Sequence, residues 1–240
     1  MLSGAGGLQA TVVGDGAVPD RAALDEAWPG WLDEAALVVA ADGGWSKAVV
    51  LGLRPQLLVG DGDSLPAARF DEVAAAGITV ERSPVAKDES DMELALLAAF
   101  RRGATHVTIL GGLGGERLDH ALANVALLAL PDPAAAEVEL LDGTTRVRLL
   151  RAPAADGSPA TCPLPGSIGD LVSLLPWGTA AAGVTTAGLE YPLNDETLQP
   201  GLARGLSNVR ISAEASVTLR SGSLLIVETR TVPSSLEEAK

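Results

Sequence analysis

One cysteine, Cys162, stands in 240 residues, so no internal disulfide can form and a reduced compartment suits the chain. Only two histidines accompany it, which argues against a thiolate or imidazole zinc site. Positive charge is scarce as well: 17 basic residues face 31 acidic ones, for a net charge of −14. A nucleic-acid backbone or an anionic membrane needs a basic face, so neither is expected as a partner; a phosphate ligand stays open if a cation comes with it. Aromatic residues make up 3% of the chain against 47% hydrophobic, which leaves an aliphatic core. No apolar run approaches the ~18 residues of a membrane span. Residues 1–7 carry no basic segment of a secretory leader, and the expected location is the cytoplasm.

What is present is an alternation of short apolar runs and helical patterns over the first ~140 residues, the pattern of a parallel sheet covered on both faces. Strands are expected at Leu8–Val13, Ala36–Ala41, Leu57–Val59, Ile78–Val80, His106–Leu110 and Val138–Leu141. Helices are expected at Arg21–Trp28, Trp45–Leu51, Arg69–Ala76, Asp91–Arg102 and Leu118–Leu130. The strands lack period-2 alternation, as strands buried on both faces do. After residue 145 the helical patterns stop. Short apolar runs separated by Gly, Pro, Asn and Ser suggest a small antiparallel sandwich, with Pro153, Pro159, Pro163 and Pro165 marking its loosest stretch. The expected organisation is therefore α/β: a three-layer parallel-sheet domain over residues 1–144, followed by an antiparallel β-sandwich over 145–240.

Acidic residues gather at the carboxyl ends of the expected strands, where open α/β sheets bind ligands. Asp42 precedes Gly43 and Gly44; Asp61 and Asp63 lie in Gly60-Asp61-Gly62-Asp63-Ser64; Lys87-Asp88-Glu89-Ser90-Asp91 opens a helix; Asp119 follows a glycine turn. Carboxylates ~4 Å apart repel by about 4 kcal/mol per pair at an effective dielectric near 20. Such a group protonates or takes up a cation, and oxygen ligands suit Mg²⁺, which commonly enters with substrate phosphates. Plainer readings exist for each stretch. Asp42-Gly43-Gly44 and the Asp63-Ser64 loop can be turns, Ser90 to Glu93 fits a capping box, and Lys87 can be a surface lysine instead of a partner for phosphate or acid.

The stretch Gly111-Gly112-Leu113-Gly114-Gly115-Glu116-Arg117-Leu118-Asp119-His120 follows a strand and leads into a helix, a phosphate-loop arrangement. Gly112 and Gly114 begin a dinucleotide fingerprint, with Asp142 placed for a ribose, but Arg117 occupies the third glycine position. A P-loop is excluded because the chain has no Gly-Lys pair. Arg117 suits a phosphate or an acid of the cluster, and equally a simple ion pair at the helix start. His120 reads as a general base or as a packing histidine.

These motifs, in order and spacing, resemble the thiamine pyrophosphokinase family: Asp42-Gly43-Gly44, Gly60 to Ser64, Lys87 to Asp91, and Gly114 to His120. Further likeness lies in Ser173 to Pro176, Thr186 to Leu189, Tyr191-Pro192-Leu193 and Leu206-Ser207-Asn208. The resemblance implies an enzyme that transfers pyrophosphate from ATP to the hydroxyethyl group of thiamine and releases AMP, working as a homodimer with Mg²⁺. It implies that Asp61, Asp63 and Asp91 hold the metal, that Arg117 and Asp119 take part in catalysis, and that Ser207 lies near thiamine. Asp42, Gly43, Ser64, Lys87, Asp88, Ser90, Gly112 and Asn208 are the accompanying candidates for ligand binding. Three positions depart from the family pattern: Gly62 where Phe is common, Ser90 where Thr is usual, and no aromatic in residues 209–216. Trp177 or Tyr191 is then left to supply a stacking face. Rival expectations are a dinucleotide-dependent oxidoreductase using Gly112, Gly114 and Asp142, a pyrophosphokinase for another small hydroxyalkyl heterocycle, and a non-catalytic binding homologue.

Overall fold

The structure is a computed structural model of the full chain, and it describes residues 7–32, 36–62, 67–115, 117–130 and 136–231. Asp63 and Ser64 lie outside the described residues. The chain divides into two compact units, Met1–Gly143 and Thr144–Lys240.

The first unit runs β1 (Leu8–Val13), α1 (Arg21–Ala27), β2 (Leu37–Ala41), α2 (Gly44–Val50), β3 (Leu57–Gly60), α3 (Ala67–Ala75), β4 (Thr79–Arg82), α4 (Asp91–Arg101), β5 (Ala104–Leu110), α5 (Leu118–Ala126) and β6 (Glu137–Asp142). Its strands are all parallel and lie in the order β6-β5-β1-β2-β3-β4. Successive residues of β2 and β3 are buried, so both faces are covered, as the missing period-2 pattern implies. Leu24 of α1 and Ala48 of α2 pack on Val13, Val38, Leu110 and Leu141, while Phe70 and Val73 of α3 pack on Ala40 and Leu58. Helix α4 lies across β1, β2, β3 and β5. Ser90 caps it as expected, its hydroxyl accepting from the Glu93 amide at 3.1 Å. Helix α5 is shorter than its apolar pattern suggests: after Ala126 the chain tightens into a 3-10 turn, Leu127–Ala129, a common way for a helix to end.

The strand order reverses between β1 and β5. Chain progress from β1 to β4 builds one side of the sheet, and β5 and β6 build the other. A crevice opens at the carboxyl ends of two such neighbouring strands.

The second unit is a sandwich of antiparallel sheets. One is β12 (Asn208–Val209), β9 (Leu171–Pro176), β14 (Gly222–Thr229) and β7 (Thr145–Ala152), in that order. The other is β11 (Glu196–Leu198), β10 (Ala181–Ala187), β13 (Ser216–Leu219) and β8 (Ala160–Pro163). Leu164, Val172, Leu174, Val184, Val217, Leu219, Leu224 and Ile226 form the core between them. The proline-rich stretch is more ordered than its composition suggests. Ala160–Pro163 forms β8 at a sheet edge, pairing only with β13 among the described strands, and an edge tolerates the missing N–H of Pro163.

Candidate active site

A cleft of about 510 Å³ lies in the first unit at the reversal of strand order. Its walls come from the turn after β1 (Gly14, Asp15, Gly16), the end of β2 (Ala41, Asp42), the segment leading into α4 (Lys87, Glu89, Ser90, Asp91), and the glycine turn after β5 with the start of α5. The two glycine turns are tied together, since the Gly14 amide donates to Leu110 O at 2.8 Å and the Gly16 amide to Gly111 O at 3.1 Å. A Cβ on Gly16 would stand 2.4 Å from Gly111 O, so only glycine permits this approach. Asn124 of α5 braces the same turn, its Nδ2 donating to Gly112 O at 2.9 Å.

Asp42, Asp61 and Asp91 each present a carboxylate oxygen, and the three oxygens lie within 4.8 Å of one another. Asp42 is buried at the end of β2, with φ of 42°, a left-handed conformation that Asp and Asn tolerate better than most side chains. Its own amide is held by Val59 O at 2.8 Å. Gly60 leaves room for it, because a Cβ there would lie 2.9 Å from the Asp42 Cβ. Asp61 follows β3 directly, and Asp91 opens α4. Three segments remote in sequence thus converge at one rim.

Lys87 lies against this group. Its ammonium donates to Asp61 Oδ2 at 3.0 Å, to Asp91 Oδ1 at 2.5 Å and to Ser83 Oγ at 2.9 Å, with 10% of the side chain exposed. Burial disfavours its charge, but the bonds and charges of Asp91 and Asp61 outweigh that and raise its pKa above the ordinary lysine value. Arg117, which lines the cleft, forms a bidentate pair at 2.9 and 2.5 Å with Asp119, which is not among the lining residues. The guanidinium holds the Asp119 carboxyl far below the usual carboxylate range, although both side chains face solvent.

The sequence-predicted residues therefore separate. Asp42, Asp61, Asp91 and Lys87 form one contiguous group, and Ser90, Gly112 and Arg117 line the same cleft. Asp88 is exposed, and its neighbour Glu89 lines the cleft. Gly43 faces Asp15: a Cβ on it would lie 2.3 Å from the Asp15 carboxyl carbon. Ser207 and Asn208 belong to the second unit. There Ser207 has φ of 55°, and the buried Asn208 side chain bonds both backbone groups of Tyr191. Asp15 and Asn124 were not among the predicted residues. Gly14-Asp15-Gly16 directly after a strand was a legible signal for the first; nothing in the sequence marked the second.

The donors of the acidic group are hard oxygens without a nitrogen or sulfur among them, which fits a magnesium-like ion that keeps some of its water. For the dinucleotide expectation, Asp142 is not among the residues that line the cleft, and burial raises its pKa.

A switch-point cleft with glycine walls, clustered carboxylates and opposing cationic side chains marks an α/β enzyme that handles phosphorylated ligands. The comparisons with known proteins narrow the class. Residues 29–140 match the thiamin pyrophosphokinase catalytic domain, and residues 162–224 match the thiamin pyrophosphokinase vitamin B1 binding domain, together well over half of the chain. The chain belongs to the thiamine pyrophosphokinase family. It is 24% identical over 206 residues to the thiamine pyrophosphokinase of Bacillus subtilis (strain 168), covering 82% of this chain and 89% of that protein. A crystal structure of thiamine pyrophosphokinase from Bacillus subtilis superposes with a TM-score of 0.78 at 24% identity, covering 93% of this chain and all of that one. One from Geobacillus thermodenitrificans gives 0.73 at 26% identity, with 95% of this chain and all of that one covered.

Proposed function

We infer that the protein transfers the pyrophosphoryl group of ATP to the hydroxyethyl oxygen of thiamine, giving thiamine diphosphate and AMP. The observation that carries this reading is the convergence of Asp42, Asp61 and Asp91 on one rim of a glycine-walled cleft, within a chain of this family. The hydroxyl oxygen attacks the β-phosphorus, the bond from that phosphorus to the α-phosphate bridging oxygen breaks, and AMP leaves with the electron pair. The hydroxyl proton passes to a carboxylate or to solvent.

Little covalent chemistry is asked of the side chains, and their part is placement and charge. Asp42, Asp61 and Asp91 would hold Mg²⁺, with Asp63 as a further candidate. When bound, the ion neutralises phosphate charge that these acids would otherwise repel. The two turns, whose glycines carry no side chains, leave room for the polyphosphate, and the guanidinium of Arg117 supplies positive charge to it. Asp119, kept ionised by Arg117, orients or accepts from the hydroxyl. Ser207 and the Tyr191 segment held by Asn208 serve the acceptor, and Tyr191 supplies the aromatic face missing from residues 209–216. Residues 1–144 then act as the ATP domain and residues 145–240 as the thiamine and dimerisation domain of a cytoplasmic homodimer.

Incubation of the protein with ATP, thiamine and Mg²⁺ tests the reading, with nucleotides separated by chromatography. Equimolar AMP and thiamine diphosphate are expected. AMP formed with another hydroxyalkyl heterocycle but not with thiamine would move the acceptor, and the absence of AMP with every acceptor would overturn the reaction.

A further inference from the structure

A lysine buried between two carboxylates of a cation-binding group competes with the cation. The three hydrogens of the Lys87 ammonium are matched by three acceptors, Ser83 Oγ, Asp61 Oδ2 and Asp91 Oδ1. Two of those acceptors belong to the acidic triad itself. The arrangement is built from the backbone outward. Ser90 fixes the start of α4 through the Glu93 amide, which sets Asp91 four residues beyond Lys87, while the Ser83 amide bonds Gly60 O and brings the far end of the segment beside Asp61. The lysine is thus held at both ends of its span. An ammonium and a divalent ion cannot share the same two carboxylates without strong repulsion.

We propose that Lys87 is the resident counter-cation of the metal site, neutralising Asp61 and Asp91 until a divalent ion arrives and then turning to the polyphosphate that accompanies it. The proposal rests on the reading that the triad holds the metal. It places one positive charge between two of the three carboxylates, Asp61 and Asp91, whose charges would otherwise repel. It also makes metal and nucleotide binding mutually supportive, because the nucleotide offers the released ammonium a new anionic partner. Arg117 and His120, the other cationic or titratable nitrogens lining the cleft, lie on the glycine-turn side, and neither forms an ion pair with the triad among the described residues.

The test uses Mn²⁺ as the probe, with free ion measured by electron paramagnetic resonance in nucleotide-free wild type and Lys87→Met. The substitution keeps the stem and removes the charge. Mn²⁺ should bind Lys87→Met tighter by about tenfold or more, and a non-hydrolysable ATP analogue should tighten Mn²⁺ binding less in the variant than in wild type. Equal or weaker Mn²⁺ binding by the variant would overturn the proposal. A second measurement needs no variant: acylation of Lys87, followed by mass spectrometry against Lys47, should accelerate several-fold when Mn²⁺ is added, and an unchanged Lys87 rate also overturns it. Such failures alongside normal AMP formation leave the proposed reaction standing. Mn²⁺ binding to neither protein, with or without nucleotide, would remove the metal reading and this proposal together.

Discussion

Asn208 closes its side-chain amide on both backbone groups of Tyr191: Oδ1 accepts from the Tyr191 amide at 3.0 Å, and Nδ2 donates to the Tyr191 carbonyl at 2.7 Å. The amide is buried, whereas Tyr191 is 54% exposed, so a hidden clamp presents a solvent-facing ring. Asn208→Ala should leave three backbone groups short of a side-chain partner, the amide and carbonyl of Tyr191 and the amide of Val209, each worth about 1–3 kcal/mol if it stays buried. The expected outcome is a lower melting temperature together with a raised KM for thiamine. Tyr191→Ala should raise that KM with little change in melting, and a KM unmoved in both variants would exclude the Tyr191 segment from the acceptor site.

Asp42 and Asp91 separate charge from fold. Asn is the other residue that tolerates the left-handed φ at Asp42, so Asp42→Asn removes the charge without adding strain. Turnover should fall by about 100-fold or more in Asp42→Asn and Asp91→Asn, while circular dichroism and melting stay close to wild type. A folded Asp42→Asn protein with wild-type turnover would remove Asp42 from the metal group.

Arg117 and Asp119 form a solvent-exposed pair, and such pairs contribute little to stability. Asp119→Asn should therefore melt with wild type and still lose about 100-fold in kcat if the carboxylate serves the hydroxyl. Because Arg117 is what holds the Asp119 carboxyl low, Arg117→Ala should let it return toward the ordinary carboxylate range. An acid limb of the pH–rate profile set by Asp119 should then move to higher pH, and an unmoved limb would assign it to another group.

Asp170 predicts how stability responds to acid. Burial alone would raise its pKa, but the amides of Ser167 and Thr231 and the guanidinium of Arg230 outweigh this and lower it. The unfolded carboxyl protonates at about 3.9. Below that pH the unfolded chain binds the extra proton first, so the stabilisation is complete above it and is lost as pH falls through the lower folded value. Asp170→Asn should be less stable than wild type at pH 7 in urea melts, and the gap should shrink below about pH 4. A gap that widens with acid would contradict the assignment.

Gly44 opens α2 against the end of β1, where an added Cβ would stand 2.0 Å from Val13 O. Gly44→Ala must push the helix off the sheet and should cost about 1–3 kcal/mol. Gly52→Ala has open space but a positive φ of 72°, so it tests backbone conformation without a clash. Chemical denaturation of the pair distinguishes the two causes.

Much of the fold was legible because burial leaves a local imprint. Apolar runs without alternation marked the strands of the first unit, since both faces of that sheet are covered, and Ser90 with Glu93 marked the start of α4. The edge strand Ala160–Pro163 was hidden by its prolines, because only the neighbouring strand decides whether a missing N–H matters. The early end of α5 was hidden too, as Leu127 and Leu128 stay buried and continue the apolar pattern through the 3-10 turn.

By itself the sequence determined the chemistry on offer: an acidic chain with few cations, carboxylates following strands, and glycines where turns must be tight. Composition and local pattern carry that information because they reflect which atoms are present and which face they bury. Only the tertiary structure decided which of these groups meet. Asp42 joins Asp61 and Asp91 because parallel strands deliver their carboxyl ends to one edge, and Lys87 reaches Asp61 across 26 residues because α4 is capped where it is. Asp15 reaches Gly43 because β1 and β2 are neighbours, and Asn124 reaches Gly112 because α5 folds back over its own turn. Contacts between distant segments depend on the path of the chain between them, and no short stretch of sequence records that path.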